Sequence, residues 1–237
     1  FLAYGASDYA GRGSAGCAAA RNDGMVRDVK RWRRECDRLV VSVHQGVVYS
    51  DLPVVDHVRA YRKLVDAGAD IVFGHHPHVT QGYERRGDGW IFYSLGSLIF
   101  DLSRIEEAEE LRNCTLHRAG AFSYSPEDRR SREGLLVSAT IGEDGVAVEL
   151  VPVFQVCLDI PRVAECVERE RLLERVERIS AQLNAPPSAY SKTLESLFAR
   201  ENLNGLRSGR SVDIVRKLHR LRWRHMRYML KALQSGR

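Results

Sequence analysis

Asp66-Ala67-Gly68-Ala69-Asp70-Ile71-Val72-Phe73-Gly74-His75-His76-Pro77-His78 decides the fold, because a strand-type run lies between a helix-ending glycine and a histidine-rich exit. Ile71-Val72-Phe73 is short, β-branched and aromatic, the composition of a strand buried in a parallel sheet. Upstream, Val54, Val58, Tyr61, Leu64 and Val65 recur at helical spacing, so a helix is expected over 54–67, with Gly68 where a C-cap belongs. Further back, Leu39-Val40-Val41-Ser42-Val43 is a second β-branched run, and it ends at His44-Gln45-Gly46. Strand, helix, strand in this order predicts a right-handed crossover with parallel pairing. Downstream, Trp90-Ile91-Phe92-Tyr93 predicts another strand that runs into Ser94-Leu95-Gly96-Ser97.

Outside this centre the signals are simpler. Phe1-Leu2-Ala3-Tyr4 reads as the end of a buried strand, as if the numbering opened inside a domain, and 6–22 as a Gly, Ala and Ser-rich loop. A helix is expected over 23–36, with Met25, Val26, Val29 and Trp32 on its apolar face. Residues 102–132 are charged and irregular, and the runs 135–141 and 146–151 flank Gly142-Glu143-Asp144-Gly145 as a β-hairpin. Beyond Pro161, helices are expected over 162–183, 188–200 and 210–233, broken by Pro186-Pro187 and by Gly205 to Gly209. The expected class is α/β, with a main domain over 1–155 and a helical extension over 160–237.

Composition narrows the function classes. With 44% hydrophobic and 28% charged residues among 237, the chain is that of an ordinary globular protein with a substantial core. No window approaches the roughly 18 uninterrupted apolar residues of a membrane-spanning helix, and no secretory leader pattern is found. Cys17, Cys36, Cys114, Cys157 and Cys166 are an odd set without C-x-x-C spacing, which argues against a zinc knuckle or a closed disulfide framework. Most are expected as small buried hydrophobes.

The histidines carry the chemistry. His44 follows one predicted strand and His75, His76 and His78 follow the next, and in an open parallel sheet such strand ends face one crevice. A lone loop histidine is ordinarily a polar group bonded to backbone. A cluster of neutral imidazoles is instead the commonest protein donor set for divalent transition metals, and an H-x-H pair can direct two rings to one site. Pro77 between two of them is expected to hold His76 in extended geometry and to stiffen the loop.

The run from Asp66 to His78 resembles the signature of the poly-gamma-glutamate capsule-synthesis CapA family. The likeness continues through Gln81 and Glu84 to Tyr93-Ser94-Leu95-Gly96-Ser97-Leu98-Ile99-Phe100-Asp101, and His44-Gln45-Gly46 is similar to the family's His-Trp-Gly block. The resemblance implies a calcineurin-like metallophosphoesterase fold, a β-sandwich flanked by helices around a two-metal centre. It implies His44, His76 and His78 as metal ligands and His75 as a catalytic proton donor or second-sphere group, with the roles of His75 and His76 interchangeable. The implied cofactors are divalent ions of manganese, iron or zinc, and the implied substrates are phosphoesters or an anionic polymer at the cell envelope. Ser94 to Ser97 is expected to close the back of the site.

The pattern also has gaps. Family members carry Gly-Asp, Asn-Leu-Glu and Asn-Asn-His segments in an N-terminal half, and these are absent here. Gln45 stands for the usual Trp, Val48 for Glu and Ser97 for Asn. A two-cation centre needs bridging carboxylates, so the expectation is half of an active site, and the alternative is a degenerate binding or scaffold domain. The formal charge of +5 is concentrated late. Over 212–233 Ile214, Leu218, Leu221, Met229 and Leu233 fall on one arc opposite Arg216, Arg220, Arg224 and Arg227, a basic amphipathic helix suited to an anionic membrane surface or an acidic partner. No nucleic-acid motif accompanies that charge.

Overall fold

The computed structural model describes residue 10 and residues 13–16, 18–20, 22–47, 49–99, 129–143, 145–157, 160–186 and 188–195. The basic helix expected over 210–233, the irregular stretch from 102 to 128, and Asp101, Cys17 and Cys114 lie outside them. The chain divides into two compact units, one of residues 1–100 and 126–184 and one of residues 101–125 and 185–237. In the second unit residues 188–195 are helical.

The first unit opens with α1 (Asn22–Trp32), which buries Met25 and Val29. It ends four residues short of the expected boundary, and Trp32 is 50% exposed instead of lining the apolar face. The Arg31 guanidinium covers its ring at 5.3 Å. Next come β1 (Val40–His44), α2 (Val55–Asp66) and β2 (Ile71–His75), the expected unit, with β1 and β2 parallel from Val40 opposite Ile71 to His44 opposite His75. α2 buries Val58, Ala60, Tyr61 and Leu64 against the sheet, and Tyr61 stacks on Tyr93 with centroids 5.5 Å apart.

β3 (Tyr83–Arg86) and β4 (Gly89–Phe92) form a hairpin and complete a four-stranded sheet in the order β1-β2-β4-β3. β4 lies parallel to β2, and β3, which the sequence did not announce, is the antiparallel edge. Glu84 is buried within β3 because Arg62 of α2 grips both of its oxygens, at 2.7 and 2.6 Å, and the Tyr93 hydroxyl donates to it at 2.8 Å.

A 3₁₀ turn (Arg129–Arg132) leads to β5 (Glu133–Gly142), β6 (Gly145–Cys157) and β7 (Ile160–Val163), a second, antiparallel sheet, and then to α3 (Cys166–Leu183). The hairpin stands where the sequence places it. The helix expected from 162 instead begins at Cys166, because Ile160 to Val163 extend along β6 as an edge strand. Cys36 and Cys166 are exposed thiols, so these two are not among the cysteines expected as small buried hydrophobes.

The two sheets meet at Ile71, Phe92 and Val146, and the Trp90 indole N–H donates to the Val146 carbonyl at 3.0 Å. α3 packs Leu172 and Val176 beside Leu135. Each such side chain contributes about 1.5–3 kcal/mol by leaving water. The architecture is mixed α/β with two sheets.

Candidate functional site

Parallel pairing sets the geometry of the site. β1 and β2 end level with each other, so His44 and His75 face each other across the register, with Nδ1 to Nδ1 2.7 Å and rings edge-on at 4.6 Å. His75 Nε2 lies 3.0 Å from the Ser42 hydroxyl, two residues back on β1. One step beyond β2, His76 brings its Nδ1 to 3.0 Å from His44 Nε2. His78 stands farther out, its ring 6.1 Å from that of His76 and its Nδ1 3.4 Å from Ser97 Oγ. All four sequence-predicted histidines therefore gather at one end of the sheet, with His44 in contact with both His75 and His76.

The two histidine loops hold each other. A Cβ on Gly46 would come within 2.6 Å of Pro77 Cγ, so only glycine admits the proline ring there. The Tyr49 N–H donates to the Pro77 carbonyl at 2.7 Å. His76 has φ 114° and His78 φ 59°. The extended geometry expected for His76 ahead of proline is therefore not adopted, because its contact with His44 and the seating of Pro77 against Gly46 and Tyr49 outweigh the local preference. Positive φ at non-glycine residues costs roughly 1–3 kcal/mol each, and such strain gathers at functional loops.

Behind the histidines, Ser94 and Ser97 are buried, and the turn between them rests on the second sheet. Gly96, at φ 74°, bridges Gly134, and a Cβ on it would lie 2.5 Å from the Glu133 carbonyl. The Leu135 N–H donates to the Leu95 carbonyl at 2.8 Å, and the Gln155 amide donates to the Ser97 carbonyl at 2.8 Å. From α3, Arg175 reaches Asp51 at 2.6 Å and the Thr80 hydroxyl at 2.8 Å, tying the loops on either side of the histidines to the helix. Ser42, Gln155 and Arg175 carried no motif signal. Only the proximity of Ser42 to His44 in sequence could have flagged one of them.

Burial and mutual repulsion keep these rings neutral. His76 is pushed down to about 4 by burial first and then by His44, His78 and His75, and His78 to about 4 by burial and then by His44 and His75. His44 is lowered by burial, as is His75, with His44 adding to the latter. Neutral imidazoles offer lone pairs to a cation at pH 7.

A divalent ion implied by the resemblance can be tested against this donor set. Two nitrogens bound to one ion at about 2.0–2.1 Å stand about 3 Å apart, which the 3.0 Å between His44 Nε2 and His76 Nδ1 satisfies. Donor type and that pair fit, with His78 as the nearby third ring. Among the described residues no group of three or more His, Cys, Asp or Glu side chains is arranged to hold an ion. The fit is to the imidazole part of a centre; a bridged pair of cations calls for carboxylates as well.

Comparison with known proteins finds relatives for the segment that carries the histidines. Residues 3–102 match the family model described as bacterial capsule synthesis protein PGA_cap. The chain is 46% identical over 65 residues to "Capsule biosynthesis protein CapA" of Bacillus anthracis, covering 27% of this chain and 16% of that protein. It is 35% identical over 103 residues to "PGA biosynthesis protein CapA" of Bacillus subtilis strain 168, covering 41% of this chain and 27% of that one. A third relative, "Uncharacterized protein y4sH" of Sinorhizobium fredii, is 27% identical over 172 residues, 72% of this chain and 35% of its own length. The matched stretches thus span between 16% and 35% of these relatives. With the histidine loops, both parallel strands and the Ser94–Ser97 turn inside the match, it is residues 3–102, the N-terminal part of this chain, that are similar to the CapA family of bacterial capsule synthesis proteins.

Proposed function

We propose that the chain supplies the imidazole half of a divalent-metal centre acting on phosphoester groups during synthesis or anchoring of an anionic capsule polymer at the cell envelope. The observation that carries this reading is the gathering of His44, His75, His76 and His78 at the level ends of two parallel strands, with His44 Nε2 and His76 Nδ1 spaced for one ion. His44, His76 and His78 are the proposed ligands, and manganese, iron and zinc all accept such donors. The metallophosphoesterase-like sandwich is part of the same proposal, supported by the two packed sheets.

When bound, a divalent ion supplies Lewis acidity and charge neutralisation to a phosphoryl group. The protein's own part is to place and orient the rings. His75 uses both ring nitrogens, on Ser42 Oγ and on His44 Nδ1, which supports the second-sphere alternative: it fixes the tautomer and direction of His44. Burial holds His76 and His78 neutral, so neither must lose a proton before accepting a cation.

The test is elemental analysis of the purified chain beside a His76→Ala, His78→Ala double variant, followed by hydrolysis of a generic phosphodiester. Stoichiometric metal in the parent that vanishes in the variant supports the site. A parent with no more metal than the variant removes it. The second reading, a binding or scaffold domain without catalysis, draws on the absence, among the described residues, of three or more ligating side chains arranged around an ion, and metal without turnover would favour it.

A further inference from the structure

Gln155 is 1% exposed on β6, outside the family-matched residues 3–102. Its Nε2 donates to the Ser97 carbonyl at 2.8 Å, and Ser97 Oγ in turn lies 3.4 Å from His78 Nδ1. Among the described residues its Oε1 meets no donor. Rotating the amide by half a turn would set oxygen against the Ser97 carbonyl oxygen, so the observed orientation is fixed by chemistry. A buried acceptor without a partner lowers stability, and an apolar side chain of the same length would avoid that loss. Packing alone therefore does not account for an amide here, whereas a grip on the turn behind His78 does.

We propose that Gln155 is a positioning residue for the histidine site: by holding the Ser97 carbonyl it sets where Ser97 Oγ stands and thereby the ring orientation of His78. The second sheet then belongs to the functional unit, although its sequence lies beyond the family match. This rests on the reading of His78 as a site residue but not on metal binding itself. Nothing else among the described hydrogen bonds ties β6 to the histidine loops.

The test reads the histidine rings by proton–nitrogen correlation spectra of the full chain, without metal, in wild type, Gln155→Met, Gln155→Glu and Ser97→Ala. Gln155→Met removes the donor to Ser97 while nearly preserving volume, and Gln155→Glu removes it in its ionised form. The expected result is that each shifts the His78 ring nitrogens in the sense seen for Ser97→Ala, with His44 and His75 unmoved and the melting temperature of Gln155→Met no lower than wild type. Unmoved His78 signals in a folded Gln155 variant, equal shifts at all four rings, or loss of fold in both variants would overturn the proposal in favour of a purely structural amide. A parallel zinc chloride titration separates the two claims. Weakening by about tenfold in Gln155→Met is the size expected for a group orienting a ligand, whereas a wild type that binds no zinc sinks the metal reading and leaves the ring result to stand or fall by itself.

Discussion

Four imidazoles drawn together at a strand end make the folded state sensitive to acid. With His76 and His78 at about 4 when folded and near 6.5 when unfolded, the unfolded chain binds more protons between those values. The stability contributed by keeping the rings neutral is therefore complete above about pH 6.5, declines as pH falls toward 4, and does not decline further below that. Each ring can contribute a slope of up to about 1.4 kcal/mol per pH unit, less for His76, which solvent screens more. Urea unfolding at several pH values should show this decline, and His78→Ala should flatten it. An unchanged slope in the variant would mean the ring is not held neutral by burial. Ser42→Ala is a milder change: it removes the partner of His75 Nε2 and is expected to cost about 0.5–1.5 kcal/mol in the same measurement.

At the scale of elements, the buried ion pair between α2 and β3 is the sharpest test of packing. Glu84 is 7% exposed at its side chain, held by Arg62 and Tyr93, so Glu84→Ala strands a guanidinium and a hydroxyl. The expected loss is about 3 kcal/mol, read as a lower urea midpoint, while Glu84→Gln, which keeps one acceptor, should lose less. That strand was illegible in the sequence for the same reason: Tyr83-Glu84-Arg85-Arg86 has no apolar alternation, and its buried carboxylate is intelligible only once Arg62 is across from it. β7 misled in the opposite direction. Ile160 and Val163 are both exposed on an edge, so the start of the helix expected from 162 is a strand, while Val176 and Ile179 farther along are buried on α3 as a helical stripe requires. α2, β1 and β2 were legible because their apolar residues sit where period and burial agree, and the histidines because four rings share two strand ends. Gln155 and Arg175 act across about 58 and 95 residues of sequence from their partners, which no local pattern can register.

For the molecule as a whole, the family-matched segment and the folded unit are not the same object. Residues 3–102 contain the histidine loops, yet the apolar face of their sheet is closed by Val146, the Ser94–Ser97 turn rests on Gly134 and Gln155, and the loops at Asp51 and Thr80 are tied to Arg175. Cutting the chain after residue 102 would expose Ile71 and Phe92 on one side and leave the carbonyls of Leu95 and Ser97 without their donors. Side chains of that size contribute about 1.5–3 kcal/mol each when buried, and whole domains are stable by only about 5–15 kcal/mol, so the loss of one sheet and α3 exceeds what the remainder can absorb. The expected outcome is that a chain of residues 1–102 shows no cooperative urea transition by far-UV circular dichroism, whereas one of residues 1–184 retains it. A cooperative transition in the shorter chain would mean that the four-stranded sheet is a folding unit by itself and that the second sheet is dispensable to the histidine site.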